Sequence, residues 1–433
     1  MKPICNAHCH LFNFEFVPAV MLKILSPQIK KHFGDDLLNI NEDDLTKLKA
    51  EVASRVTKMK HAPELMEIYL SEMSAVASQY VHQLKCAQID IFTPLTMNME
   101  ESVPLTPELY WRYSQQLEII STLALKYPWR MFPFVFFDPR SENSFEMCKN
   151  ALENLGFLGV KMYPALGYHP DPSVVETAGV SGLGESEIGI VKFPNGTPNH
   201  AAARRLRSFY KYCADNSIPI TTHTSVGGAY SARLYNLEER IRWQLTDPEN
   251  WRAVLQQYKL KINFAHMGGN YINPDRGNTK AWSCKWRSTI LEYLKKSDLL
   301  ATVYADVSYH DMAHSSNDKE VAEYFEDLRE VLNCTEIKGG VMYGSDASMI
   351  THTWFEDEFI KPFIDTNNLL PDLQEKLFTT TPLSFLFQKD GDGYVIPHRY
   401  IKFLEENGAL QNLPTYVQKI GTPGIVKYVI NAY

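Results

Sequence analysis

The chain has 433 residues, 45% of them hydrophobic and 22% charged, with a formal net charge of -8. That length suits one large barrel with insertions or two or three ordinary domains, and the composition is ordinary for a globular protein. The mild negative charge is spread along the chain, which leaves no basic face for nucleic acid, and no stretch approaches the apolar length of a membrane span.

Eight short apolar runs recur in chain order, over residues 4–12, 88–95, 131–138, 156–163, 218–224, 261–266, 302–308 and 340–345. Several are nearly continuous rather than alternating, as expected of parallel strands covered by helices. Segments long enough for helices lie between them, at 107–126, 145–155, 199–216, 248–258 and 319–332. The first has a clear start: Thr106 can cap it, Pro107 suits the first helical position, and Glu108 suits the positive end of the dipole. Strands alternating with helices eight times over predict an α/β fold, a TIM-like (β/α)8 barrel.

Three connections exceed a minimal barrel. Residues 14–85 are very long for one strand-to-helix link and hold helical patterns at 42–60 and 63–83, so they read as a helical insertion after the first strand. Residues 164–200 are rich in Gly, Pro and Ser and read as a long loop over the fourth strand. Residues 267–286 read as a loop after the sixth, carrying Arg276, Trp282 and Trp286. Such mouth-side loops are where barrels keep their chemistry. The barrel is expected over 1–390, with 391–433 as a tail wrapping it.

The start, MKPICNAHCHLF, lacks the basic-then-apolar order of a secretory signal. The seven cysteines (Cys5, Cys9, Cys86, Cys148, Cys213, Cys284, Cys334) contain no CxxC pair and read as reduced thiols, so a cytoplasmic protein is expected. Cys5 and Cys9 read as buried spectators rather than zinc ligands.

Four strand ends carry ligand-type residues. His8-Cys9-His10 closes the first run, and residues two apart on a strand face the same side, so both imidazoles can address one ion. Thr221-Thr222-His223-Thr224 ends the fifth, Asn263-Phe264-Ala265-His266-Met267-Gly268-Gly269 the sixth, and Tyr343-Gly344-Ser345-Asp346 the eighth. A lone histidine at a strand end is more often structural, and Asp346 alone could cap a helix. Four such ends in register around one mouth make a metal site the better reading. Neutral imidazoles with a carboxylate suit zinc, with manganese or iron as alternatives.

The motifs NAHCH, GVKMYP, TTHTS, NFAHMGG, VYADVSYHD and YGSDA together resemble amidohydrolase family 2, the group that includes aminocarboxymuconate-semialdehyde decarboxylase and related hydrolases. The resemblance runs from Ile4 to about Ser348. It implies a divalent metal, usually zinc, held by His8, His10, His223 and Asp346, with His266 beside it as an acid/base or electrostatic group. Asp346 would both bind the ion and take a proton, and His266 would polarise the substrate or steady an oxyanion. Hydrolysis of an amide, ester or lactone is the first expectation, and decarboxylation of an unsaturated or aromatic acid the second. A metal-free lactonase of the same family, or a catalytically silent binding barrel, is the alternative of another class; a lost ligand would mark the silent barrel, and none is lost.

Lys161 ends the fourth run. In related binuclear amidohydrolases such as dihydroorotase a lysine at the equivalent place is carbamylated and bridges two ions, with His223 and His266 serving the second. The plainer expectation is one ion and an unmodified lysine that bonds within the barrel or holds a substrate anion. Tyr163, Arg233, Arg276, Trp282 and His310 are candidate contacts for a small-molecule substrate, the arginines for its carboxylate. No nucleic-acid or membrane partner is expected; a homo-oligomer is left open.

Overall fold

The computed structural model describes residues 2–13, 71–98, 100–101, 112–178, 199–226, 243–269, 279–296, 298–347, 353–422 and 425–431. Eight parallel strands appear where the apolar runs place them. They are β1 (Cys5–Cys9), β2 (Ile91–Pro94), β3 (Phe134–Phe136), β4 (Gly159–Met162), β5 (Pro219–His223), β6 (Lys261–Ala265), β7 (Thr302–Asp306) and β8 (Gly340–Met342). β1 pairs with β2, and β3 to β8 form a six-stranded sheet in sequence order. Further backbone bonds complete the ring. Phe132 N to Phe92 O at 3.0 Å and Thr96 N to Phe134 O at 3.1 Å join β2 to β3, while Ala7 N to Tyr343 O at 2.9 Å and Ser345 N to His8 O at 3.0 Å join β8 to β1. The result is a (β/α)8 barrel.

Alternation fixes which side chains enter the ring. Lys161, Thr221 and Asn263 are cross-strand neighbours on one face, and Asn263 bonds Asp306 there. The residues between them, such as Val160, Ile220, Ile262 and Val303, turn outward into the main core beneath the helices. Gly344 permits a close approach. A Cβ there would come within 2.7 Å of the His8 Cβ, so only glycine lets β8 run this close to β1.

The N-terminal end of the barrel is plugged from below. Helix Thr381–Leu386 sends Phe385 against Phe134 and Tyr304, at ring-centroid distances of 6.0 and 5.1 Å. Lys261 donates to the carbonyls of Ser384 and Phe387. These contacts close the lower end and leave the C-terminal ends of the strands as the mouth.

Several connections differ from the sequence reading. Residues 14–70 of the expected insertion, including the 42–60 pattern, and the Thr106-Pro107-Glu108 start signal lie outside the described residues. Of the rest, helix Met73–Cys86 is present, and the helix expected from 107 is described as Tyr113–Lys126. Within 164–200 a short turn of helix at Pro164–Leu166 and a helix at Pro172–Ala178 interrupt the loop, while 179–198 is not described. Of the expected 267–286 loop, 270–278 is not described and 279–286 is helical, because Thr279–Lys295 is one continuous element. Its apolar residues Trp282, Trp286, Ile290, Tyr293 and Leu294 recur at helical spacing, which outweighs the loop reading.

The C-terminal part is more ordered than a tail. Strands β9 (Gln388–Asp390), β10 (Gly393–Val395), β11 (Val417–Thr422) and β12 (Ile425–Asn431) form an antiparallel sheet in the order 11-12-10-9. It packs under the barrel through Tyr428 on Trp129 and through Tyr416, whose hydroxyl donates to the Trp129 carbonyl at 3.2 Å. Six cysteines are described; all are free thiols, and Cys5 and Cys9 are fully buried. No helix among the described residues is long and apolar enough to cross a membrane.

Candidate metal centre

β1 delivers two imidazoles. Its register against β2 shifts between Asn6 and Cys9, a bulge that re-aims the end of the strand. His8 Nε2 and His10 Nε2 lie 3.3 and 3.2 Å from the same Oδ1 of Asp346. One ligand atom from each of these three residues falls within 4.8 Å of the others. Asp346 reaches them from a left-handed backbone, φ 61°, and its own N–H donates to the His8 carbonyl at 2.9 Å. A non-glycine residue held in that region is strained, and such strain concentrates at functional sites.

The hydrogen bonds behind the rings set which nitrogen faces inward. His10 Nδ1 is 2.8 Å from the Leu95 carbonyl, so Nδ1 carries the proton and Nε2 presents a lone pair. His8 Nδ1 is 3.0 Å from Asp306 Oδ2, which fixes the same tautomer. His8 Nε2, fully buried, makes no hydrogen bond to the described residues despite the nearby carboxylate. Lone pairs from two imidazoles and a carboxylate thus face one another, and positive charge is what such a trio lacks. A divalent cation fits this donor set.

The electrostatics agree. Burial works to raise the Asp346 carboxyl, but the His10 and His8 imidazoles outweigh it and hold its pKa well below the usual range. Burial works to lower His8, yet Asp306 outweighs it and leaves His8 raised. Asp306, fully buried, is held below the ordinary carboxylate range against burial by His8, His266 and Ser308.

His266 begins a short turn at the end of β6, again with positive φ, and its N–H donates to Asp306 Oδ1 at 3.0 Å. The turn needs Gly268, where a Cβ would sit 2.7 Å from the Arg287 nitrogen. Ser308 Oγ lies 2.9 Å from His266 Nδ1 and 3.0 Å from His8 Nδ1, and it also donates to Asp306. A second cluster of ligand-type residues, His8, His266 and Asp306, is therefore already knitted together by protons. Burial lowers the His266 pKa to about 3, so the ring is neutral near neutral pH.

His223 stands one step from the trio. Its Nδ1 is 3.1 Å from His266 Nε2, and its ring stacks on Tyr163 with centroids 4.2 Å apart. Lys161 is fully buried, and its Nζ has no hydrogen-bond partner among the described residues. Burial lowers its pKa to about 8 against the pull of Asp346 and Asp306. His310 is buried behind the site, Nδ1 3.0 Å from the Tyr324 hydroxyl and Nε2 3.0 Å from the His266 carbonyl, a placement that supports the His266 turn. Arg233 and Arg276 lie outside the described residues. Trp282 falls within helix Thr279–Lys295, but its side chain is not among those described.

Sequence reasoning passed over Asp306, Ser308, Asn263 and Glu356. Asp306 had a signal: an apolar strand ending on a carboxylate, the same pattern that marks Asp346.

A parallel (β/α)8 barrel whose titratable side chains converge at the C-terminal ends of its strands is an enzyme-type barrel. The chain belongs to the amidohydrolase family, whose sequence model matches residues 5–388. No curated protein matches it. Among solved structures it is similar to 2,6-dihydroxybenzoate decarboxylase from Rhizobium, at 12% identity over 89% of this chain and 99% of that one, TM-score 0.46. It is also similar to 5-carboxyvanillate decarboxylase from Novosphingobium aromaticivorans, complexed with manganese, at 10% identity over 89% and 96%, TM-score 0.46. A third is an uncharacterized TIM-barrel protein from Bordetella bronchiseptica, at 14% identity over 94% and 99%, TM-score 0.43.

Proposed function

We propose that this protein is a metal-dependent hydrolase of a small molecule, cleaving an amide, ester or lactone with one divalent ion, zinc by preference, in a cytoplasmic setting suited to its free thiols. The observation that carries the reading is the His8–His10–Asp346 trio, buried, with inward lone pairs and a His8 Nε2 that no described residue satisfies. His8, His10 and Asp346 would hold the ion, with His223 completing the set by a modest shift from His266. A bound ion of this kind acidifies water and polarises an acyl oxygen. Asp346 is ionised and takes the proton that water sheds as it attacks the acyl carbon. Neutral His266, protonated on Nδ1 toward Ser308, would face the site with its Nε2 lone pair and serve as a proton acceptor beside the ion.

Decarboxylation of an unsaturated or aromatic acid is the second reading, favoured by Lys161: a buried amine with no hydrogen-bond partner among the described residues suits an acidic substrate. Here the carboxylate leaves as carbon dioxide and a proton takes its place on carbon. A panel of amides, esters, lactones and aromatic or unsaturated acids separates the two. Hydrolysis abolished by chelation and restored by zinc supports the first reading, and carbon dioxide release from an acid without any hydrolysis replaces it with the second. Turnover unaffected by exhaustive chelation would remove both.

A further inference from the structure

Behind the trio, outside the barrel, lies a buried polar cluster that takes no part in the chemistry above. Asn6 sits two residues before His8, and Ser345 immediately precedes Asp346. Asn6 Oδ1 accepts from the backbone N–H of His8 at 3.1 Å and from that of Ser345 at 3.3 Å. Its Nδ2 donates to Ser345 Oγ at 2.8 Å, and Ser345 Oγ in turn accepts from the Ala347 N–H at 3.1 Å. One amide thus bridges the two strand ends that carry His8 and Asp346.

Those two N–H groups draw the amide oxygen to one side, and on the other Nδ2 also donates to the Tyr80 hydroxyl at 3.0 Å. Glu356 reinforces this orientation. It is buried at 1% exposure in a short helix after β8, and its Oε1 accepts from Asn6 Nδ2 at 3.2 Å. Tyr343 and Tyr80 donate their hydroxyls to the same carboxylate at 2.9 and 3.0 Å. Although burial raises its pKa, its oxygens accept from these three groups, which draws the NH2 of Asn6 to its side and turns the oxygen to the other. A flipped amide would set its NH2 against two backbone donors and leave those N–H groups unsatisfied in a buried place.

We infer that Glu356 is a positioning residue for the metal centre: by fixing the orientation of Asn6 it locks the His8 and Asp346 segments together at the spacing one ion requires. This rests on the metal reading above. Partners of this kind contribute about 10–100-fold to metal affinity.

The test is a double-variant cycle read by zinc affinity, measured in competition with a chelator, and by the visible spectrum of the cobalt(II)-loaded protein, which reports coordination geometry. Glu356→Gln supplies a side chain that can donate, so the hold on the Asn6 NH2 from that side is loosened. Zinc affinity should fall by about tenfold or more, with an altered cobalt spectrum. Asn6→Asp alone places two carboxylates face to face and should weaken zinc further. The combination Asn6→Asp/Glu356→Gln exchanges donor and acceptor, keeps an acceptor toward both backbone N–H groups, and should recover most of the affinity and the spectrum. A residue that only filled space would show no such recovery. Should Asn6→Asp fail to fold, Glu356→Gln and the combined variant still decide the matter. Wild-type affinity and spectrum in Glu356→Gln, or a combined variant no better than Glu356→Gln, overturns the inference while leaving the metal reading intact. A wild-type protein that binds neither zinc nor cobalt overturns both.

Discussion

Asp306→Asn probes the centre through a residue that touches no substrate. Asp306 Oδ1 accepts from the N–H groups of His266 and Ser308 and from Ser308 Oγ, while Oδ2 accepts from Asn263 Nδ2 at 2.6 Å and His8 Nδ1 at 3.0 Å. The new amide keeps its oxygen toward the first three donors, and its NH2 then faces Asn263 and His8. Two charge-assisted bonds are lost, at about 1.5–3 kcal/mol each. His8 recovers a neutral one by accepting on Nδ1, worth about 0.5–1.5 kcal/mol, which leaves a net destabilisation of roughly 2–5 kcal/mol. That recovery moves the His8 proton to Nε2, the atom that faces Asp346, and so removes a lone pair from the ion. Zinc affinity should therefore drop by about 10–100-fold or more, beyond the change in unfolding free energy. Chelator competition and urea unfolding of the metal-free protein measure the two separately. A variant that loses stability yet binds zinc as the wild type does would refute the tautomer argument.

Asp346→Asn should retain the fold and lower turnover by about 100-fold or more, the scale of a general base; wild-type rates at full metal occupancy would remove Asp346 from the mechanism. Acid should destabilise the metal-free protein. Burial lowers His266 and His310 to about 3 and about 4, against roughly 6.5 when unfolded, so the unfolded chain binds the extra protons and their stabilisation, full above about 6.5, is lost as pH falls. Urea unfolding at about pH 7 and about pH 5 should differ by up to roughly 2 kcal/mol per group, trimmed by His8, whose raised pKa acts in the opposite direction. Equal stability at both would contradict this.

The strands were legible because parallel barrel strands are buried on both faces, and runs such as 218–224 and 302–308 announce that directly. His8, His10, His266 and Asp346 were legible because an apolar run ending on a ligand-type residue is a one-dimensional signal. Asp306 carried the same signal but was masked by the more conspicuous His310 three residues on from Val307, and the structure puts His310 behind His266 instead. Asn6 and Glu356 could not be found this way. They lie 350 positions apart, and only the closure of β8 onto β1 brings them together. The C-terminal sheet was hidden for another reason: the pairing partners of β9, β10, β11 and β12 are fixed by packing beneath the barrel rather than by local pattern.

The most direct measurement is the position of the ion in crystals of the zinc-loaded protein, located by anomalous scattering. The account predicts one ion bonded to His8 Nε2, His10 Nε2 and an Asp346 oxygen at roughly 2.0–2.2 Å, with Asp306 still on His8 Nδ1. An ion bound elsewhere, or none there with a proton shared between His8 Nε2 and Asp346, would contradict it.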